Sequence, residues 1–280
     1  MKEAPGSKTK SQVWVVENNK TRSRLDYLAT EEPLEIRLVD PKQTVAITMR
    51  TPGADFDLAV GFLYSEGIIH RQEDVEKIAY CVEPDIDGEQ RYNIVNVSLR
   101  EGLQPDLVSL ERHFFTTSAC GVCGKASIES IKIRDCPILS TGRTVTSEII
   151  YSLPNKLRSA QGIFTATGGL HAAALFDFQG QLLKLREDVG RHNALDKLIG
   201  SAFLANELPL NEHIVMVSGR ASFEILQKCI AAGVPIICAV SAPSSLAVAV
   251  AKEFGITLIG FLRGQKFNIY SGFERISLQS

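Results

Sequence analysis

From Leu170 onward the sequence alternates short apolar runs with segments of helical pattern, and this alternation restricts the architecture more than any other feature. Leu170 to Phe176 and Gln181 to Leu185 read as strands around the turn Asp177-Phe178-Gln179-Gly180, and a helix follows from His192 to Leu204. Ile214-Val215-Met216-Val217 then leads into a helix from Ser222 to Ala232. Ile236-Ile237-Cys238-Ala239-Val240 leads into another from Ser245 to Phe254, and Thr257-Leu258-Ile259-Gly260-Phe261 closes the series. The pattern predicts a layered α/β domain over residues 146–280, with helices covering a mixed sheet.

The first part reads differently. Gln12 to Val16, Leu34 to Val39, Thr44 to Met49 and Tyr92 to Val97 are β-branched, period-two segments, and a helix starts near Asp55 and stops at Gly67. Residues 13–115 are therefore expected to form an α+β N-terminal domain, and residues 116–145 to connect it to the second. Residues 1–12, polar and rich in lysine, read as a disordered tail without the apolar core of a secretion signal.

At 280 residues, 45% hydrophobic and 22% charged, the chain can bury one large core or two modest ones. A formal net charge of −2 gives no global drive toward nucleic acid or an anionic membrane, so a phosphate-bearing partner needs a local basic pocket. No charge interrupts Cys229 to Ala251, but Gly233, Pro235 and Pro243 divide that stretch into helix end, strand, turn and helix rather than a membrane span. Six cysteines without a signal sequence point to a reducing cytoplasm, where a Cys-x-x-Cys is catalytic or metal-binding more often than structural.

One such pair is present: Cys120-Gly121-Val122-Cys123-Gly124, on the connecting segment. Lys125 favours thiolate, and a helix opening at Gly124 would add its amide dipoles to a sulfur anion just upstream. A thioredoxin-like dithiol, half of a zinc site and a persulfide carrier all use this spacing. Cys229 and Cys238, in apolar runs, read as inert core thiols. Zinc-dependent deamination is excluded, because His171-Ala172-Ala173 lacks the glutamate of His-x-Glu and precedes no later cysteine pair. A structural zinc site from Cys120, Cys123, Cys136 and His113 has suitable ligand types but irregular spacing, and no metal site is expected.

Three strand-to-helix junctions carry small and basic residues: Asp188 to Asn193 with Arg191 and His192, Ser218-Gly219-Arg220-Ala221-Ser222, and Ser241-Ala242-Pro243-Ser244-Ser245. Each places helix N-terminal amides beyond a strand's carboxyl end, where α/β sheets bind anions. A fourth, Phe261-Leu262-Arg263-Gly264-Gln265-Lys266, adds two cations beside a glycine. Serine and glycine at helix starts are also ordinary caps, and a lone His171 or His192 has a structural reading; the convergence is what suggests a phosphorylated ligand.

Ala119-Cys120-Gly121-Val122-Cys123-Gly124, the stretch Glu187 to Lys197, Ser218 to Ser222 and Val240 to Pro243 together resemble the FdhD family of formate dehydrogenase accessory sulfurtransferases. The resemblance covers about Trp14 to Ile276. It implies a C-terminal domain like the cytidine deaminase fold and a cytoplasmic homodimer. It also implies a sulfurtransferase reaction: a cysteine desulfurase donates sulfane sulfur, which passes to the molybdenum or tungsten bis-guanine-dinucleotide cofactor of the formate dehydrogenase catalytic subunit. Cys120 would carry the persulfide and Cys123 would assist its release. Phe261, Leu262, Arg263, Gly264, Gln265 and Lys266 would contact the cofactor, with Arg191, His192, Ser218, Arg220 and Ser241 lining its phosphates. Gln265-Lys266 replaces a more familiar Gly-Arg ending, which keeps the charge but loses the guanidinium fork. The alternatives are a chaperone that binds the cofactor or the immature dehydrogenase without moving sulfur, and a zinc-binding protein that uses the cysteine pair.

Overall fold

The computed structural model describes residues 6–83, 86–87, 90–105 and 143–278. Strands β1 (Lys8–Glu17) and β2 (Lys20–Ala29) form an antiparallel ribbon in register from Lys8↔Ala29 to Glu17↔Lys20. Asn18 and Asn19 turn it with φ of 51° and 60°, the left-handed pair that a two-residue hairpin needs and that asparagine tolerates. Lys8 to Gln12, expected in a disordered tail, are thus strand residues. Their polar composition suits an open strand edge, where lysine deters further pairing.

A four-stranded sheet follows in the order β4–β3–β6–β5, built from β3 (Glu32–Leu38), β4 (Gln43–Arg50), β5 (Val75–Tyr80) and β6 (Ile94–Leu99). Helix α1 (Asp55–Ser65) covers one face, where Leu58, Ala59 and Leu63 share a core with Leu34, Ile36, Val95 and Val97. Gly67, at φ 74°, ends it by letting the Ile68 amide donate back to the Leu63 carbonyl at 2.9 Å.

The second sheet contains β8 (His171–Asp177), β9 (Leu182–Asp188), β10 (His213–Val217), β11 (Ile236–Ala239), β12 (Thr257–Arg263) and β13 (Lys266–Ser271), preceded in the chain by a short β7 (Val145–Thr146) and closed by β14 (Ile276–Ser277). Its order is β13–β12–β11–β10–β8–β9: β10, β11 and β12 run parallel, and β8, β9 and β13 run antiparallel to their neighbours. Helix α2 (Ser147–Ala160), followed by the short α3 (Gly162–Thr167), lies on one face, while α4 (Arg191–Leu204), α5 (Phe223–Ala231) and α6 (Ser245–Glu253) cover the other. Ile214 and Met216 therefore pack toward α2, and Val215 and Val217 toward α4 to α6. Burial on both faces is why these strands read as unbroken apolar runs. The expected mixed α/β layering is present, and among the described residues no helix is long and apolar enough to cross a membrane.

The two sheets meet through α1 and α4. A Cβ on Gly61 would strike the Asp196 carbonyl oxygen, and one on Gly200 the Asp57 carbonyl oxygen, so the two backbones touch where side chains usually hold helices 8–10 Å apart. Phe203 of α4 completes the core of the four-stranded sheet. Gly61→Ala and Gly200→Ala should each cost about 3 kcal/mol of stability, since the added methyl meets backbone that cannot rotate away. Gly162→Ala, with nothing within 4 Å of its Cβ, should stay within about 0.5 kcal/mol of the parent. Urea denaturation of the three variants measures both, and equal effects would contradict the close crossing.

Candidate functional site

One edge of the six-stranded sheet gathers the junction residues. His171 opens β8, Asp188 ends β9, Ser218 and Ser241 follow β10 and β11, Arg263 ends β12, and Lys266 opens β13. Because β8 and β13 run opposite to the parallel strands, their first residues stand beside the others' last ones, with His171 paired to Asp188 and Arg263 to Lys266. Helices α4, α5 and α6 all begin just beyond this edge. Ser244 caps α6 by accepting from the Ala247 amide at 3.2 Å, whereas Ser222, before α5, makes no such cap. Its hydroxyl donates to Glu224 Oε2 at 2.9 Å instead.

A cleft of about 750 Å³ opens at this edge, between the strand ends and the α2–α3 segment. His171, Ser218, Leu262 and Arg263 line its sheet side; Arg158, Gln161 and Phe164 line the other. Arg158 stacks on Phe164, its guanidinium carbon 4.0 Å from the ring centre. Gln161 is 3% exposed, and among the described residues neither its Nε2 nor the buried Nε of Arg191 has a hydrogen-bond partner. Gly219 separates Arg191 from His171: a Cβ there would come within 3.4 Å of His171 Nδ1 and 3.6 Å of Arg191 Cβ. Burial, then the charges of Arg191 and His192, push the His171 pKa below its ordinary 6.5, against a smaller opposing pull from Asp188. His171 is accordingly a neutral imidazole at neutral pH.

Phe261 has φ 53°, unusual for an aromatic residue, at an irregularity in the β12–β13 pairing. Its amide donates to the Ser241 carbonyl at 3.2 Å, tying the end of β12 to the β11–α6 junction. Such a conformation costs about 1–3 kcal/mol and clusters at sites that bind or react. Leu262 is buried, and Arg220, Arg263, Gly264, Gln265 and Lys266 are exposed to solvent.

Glu187 and Asp188, whose pairing in sequence suggests a solvated turn, are spent on backbone. Glu187 accepts from the Ile163 and Phe164 amides at the start of α3, at 3.0 and 2.7 Å. Asp188 is fully buried: it accepts from the Thr51 and Gly190 amides and Asn193 Nδ2, and pairs with Lys197 at 2.7 Å. His192 turns toward α5, its Nε2 3.2 Å from both Ser222 Oγ and Glu224 Oε2. Cys120, Cys123, Cys136 and His113 lie outside the described residues. Of the remaining cysteines, Cys81, Cys229 and Cys238 are all buried, and burial pushes the Cys229 and Cys238 thiols far above the range where a thiolate forms.

Residues 29–277 match the FdhD/NarQ family. The chain belongs to that family. It is 51% identical over 260 residues to the sulfur carrier protein FdhD of Streptomyces coelicolor, covering 92% of each chain. Against the protein of that name from Sulfurisphaera tokodaii it is 47% identical over 265 residues, covering 94% of this chain and 97% of the other. Its fold is that of a solved structure described as a candidate formate dehydrogenase accessory protein from Desulfotalea psychrophila, with a TM-score of 0.74 over 96% of this chain and 99% of that one at 24% identity. The FdhD/NarQ match includes the whole sheet edge and the cleft, but begins only at the last residue of β2. The cleft wall formed by Arg158, Gln161 and Phe164 carries no motif of its own in the sequence; the Gly168-Gly169 step that ends α3 and opens toward β8 is the nearest signal.

The His192 contact, with Ser222 adding to it, holds the Glu224 carboxyl down to about 2 from its ordinary 4.5. A depressed carboxylate stabilises the fold above its unfolded value and loses that contribution as the pH falls through the folded one. Glu224→Gln should therefore be less stable than the parent above about pH 4.5, with the difference closing toward pH 2, in thermal melts across that range. A gap that does not change over this window would show that the pairing is absent in solution.

Proposed function

We propose that this chain is a cytoplasmic sulfur carrier of formate dehydrogenase maturation. It takes sulfane sulfur from a cysteine desulfurase and passes it to the molybdenum or tungsten bis-guanine-dinucleotide cofactor destined for the dehydrogenase catalytic subunit. The observation that carries the reading is near-50% identity, over nine-tenths of the chain, to proteins named sulfur carriers. Chemistry supports it: the buried Cys229 and Cys238 are unsuited to thiolate chemistry, whereas Cys120 and Cys123 have the Cys-x-x-Cys spacing of a sulfur carrier with Lys125 close by in sequence to favour thiolate.

The Cys120 thiolate attacks the outer sulfur of the donor's persulfide, forming a Cys120 persulfide and releasing the donor thiol. Cys123, as thiolate, then attacks the Cys120 sulfur. The sulfur–sulfur bond breaks, sulfide leaves with its electron pair for the metal, and the resulting Cys120–Cys123 disulfide is reduced by a cellular dithiol. In this reading the sheet edge receives the cofactor's pyrophosphates. Arg191, Arg220, Arg263 and Lys266 supply positive charge, the helix starts supply amides, and Ser218 and Ser241 supply hydroxyls. The six-stranded unit is a cytidine-deaminase-like layer that binds rather than deaminates, since no glutamate follows His171 at the required spacing.

Incubation with a cysteine desulfurase and labelled cysteine should load one sulfur on the parent and none on Cys120→Ala, read by mass spectrometry. Normal loading of Cys120→Ala would falsify the assigned role, and an active dehydrogenase from that variant in a deletion strain would favour the chaperone. Separately, Arg191→Ala should weaken guanosine diphosphate binding about tenfold by calorimetry, the loss of a charged hydrogen bond to phosphate. An unchanged affinity would remove Arg191 from the site.

A further inference from the structure

Gln161 stands at the joint between α2 and α3, on the wall of the cleft. Its backbone is engaged on both sides: the amide donates to the Arg158 carbonyl at 3.3 Å, and the carbonyl accepts from the Thr165 amide at 3.2 Å and the Thr165 hydroxyl at 2.6 Å. The side chain differs. It is buried, yet among the described residues Nε2 has no acceptor. Leu157 and Leu170, also buried, line the same cleft, so an apolar side chain at 161 would suit this wall without leaving a donor unsatisfied.

The surroundings decide what could satisfy that donor. Arg191, Arg220, Arg263 and Lys266 are fixed charges suited to phosphate, whereas an uncharged amide suits an uncharged acceptor. Close by in the same wall, the Arg158 guanidinium lies over the Phe164 ring, a flat cation already seated on an aromatic face. Planar heterocycles stack on guanidinium planes as they do on aromatic rings. The cleft's volume of about 750 Å³ is that of a small-molecule site, with a few polar groups set among Pro154, Leu157, Leu170 and Leu262.

We infer that the cleft takes a flat heterocycle bearing an exocyclic oxo group, the chemistry shared by guanine and pterin, and that Gln161 selects it by donating from Nε2 to that oxygen. Resting on the reading of the sheet edge as a cofactor site, this role makes Gln161 the residue that reads the ring while the cations hold the phosphates. Adenine carries an amino group where guanine carries the oxygen. Two donors then face each other, and the buried amide stays unsatisfied. A site built around a hydrogen bond rejects an analogue that lacks it more strongly than an apolar pocket rejects a misfit. Stacking on Arg158, by contrast, is blind to the difference.

Calorimetric titration of the full chain with guanosine diphosphate, adenosine diphosphate and neopterin tests this against Gln161→Met, a side chain of similar size without the donor. With guanine in the cleft, the parent binds guanosine diphosphate about tenfold more tightly than adenosine diphosphate, and the variant loses that preference. With pterin there, the variant binds neopterin about tenfold more weakly while guanosine diphosphate is unchanged. The melting temperature should stay within about 2 °C of the parent, because the backbone bonds of Gln161 survive. A fall of more than about 4 °C would overturn the inference by showing that Nε2 already has an acceptor within the chain. Ligand affinities that ignore the substitution would overturn it alone, provided Arg191→Ala still weakens guanosine diphosphate. A parent that binds neither guanosine diphosphate nor neopterin would remove the cofactor site and this role together.

Discussion

The contact between α1 and α4 at Gly61 and Gly200 governs this structure, because it turns one helix into a shared wall of two sheets. From Asn193 to Phe203 every residue of α4 is buried, so the helix has no side on which to put polar groups in water. It nevertheless carries Asp196 and Lys197, and both are spent on the seam. Lys197 donates to the Thr51 carbonyl at 2.7 Å and pairs with Asp188; Asp196 accepts from Ser65 at 3.1 Å and from Lys228 at 2.8 Å. Burial pushes the Asp196 carboxyl up, and the Lys228 ammonium and the Ser65 hydroxyl pull it back. Removing one partner of such a pair leaves a buried charge uncompensated, a cost of about 3–5 kcal/mol, so the pairs enforce the register in which α1 and α4 cross.

Asp188 carries that constraint to the sheet edge. One of its oxygens accepts from the Thr51 amide across the seam, and the other accepts from the Gly190 amide and the Asn193 side chain, which bracket Arg191. The orientation of the first turn of α4 therefore depends on how the two sheets are docked. Arg50, paired with Asp55 at the start of α1 and donating to the Tyr92 carbonyl and Asn93, holds that start of α1 to the four-stranded sheet.

The sheet of the second half was legible because its strands are buried on both faces, which writes each as an uninterrupted apolar run such as Ile214 to Val217 or Ile236 to Ala239. Strand β2 was not: Lys20-Thr21-Arg22-Ser23-Arg24 has little apolar content because both its sides face solvent, and only its pairing with β1 makes it a strand. Helix α2 hid behind Pro154, which normally marks a helix end. The same distinction separates the two walls of the cleft. Junction residues such as Arg191, Ser218 and Arg263 could be found because loops beyond parallel strands share an edge by topology. Arg158 and Gln161 reach it only through the packing of α2 beneath the sheet, a tertiary fact with no local pattern.

The unpaired donors at this edge have a consequence for affinity. Leaving a buried nitrogen without an acceptor costs about 1–3 kcal/mol, and among the described residues Gln161 Nε2 and Arg191 Nε have none. A ligand that brings acceptor oxygens to these nitrogens would recover that penalty on binding. The neutral imidazole of His171, held so by burial and by Arg191, can donate or accept there without adding a second fixed charge to repel the guanidinium. The bent backbone at Phe261 contributes in the same sense, since its amide holds the β11–α6 junction in place before any ligand arrives. In the proposed function, an edge built this way would need little reorganisation on binding, with the seam of α1 and α4 supplying rigidity behind it.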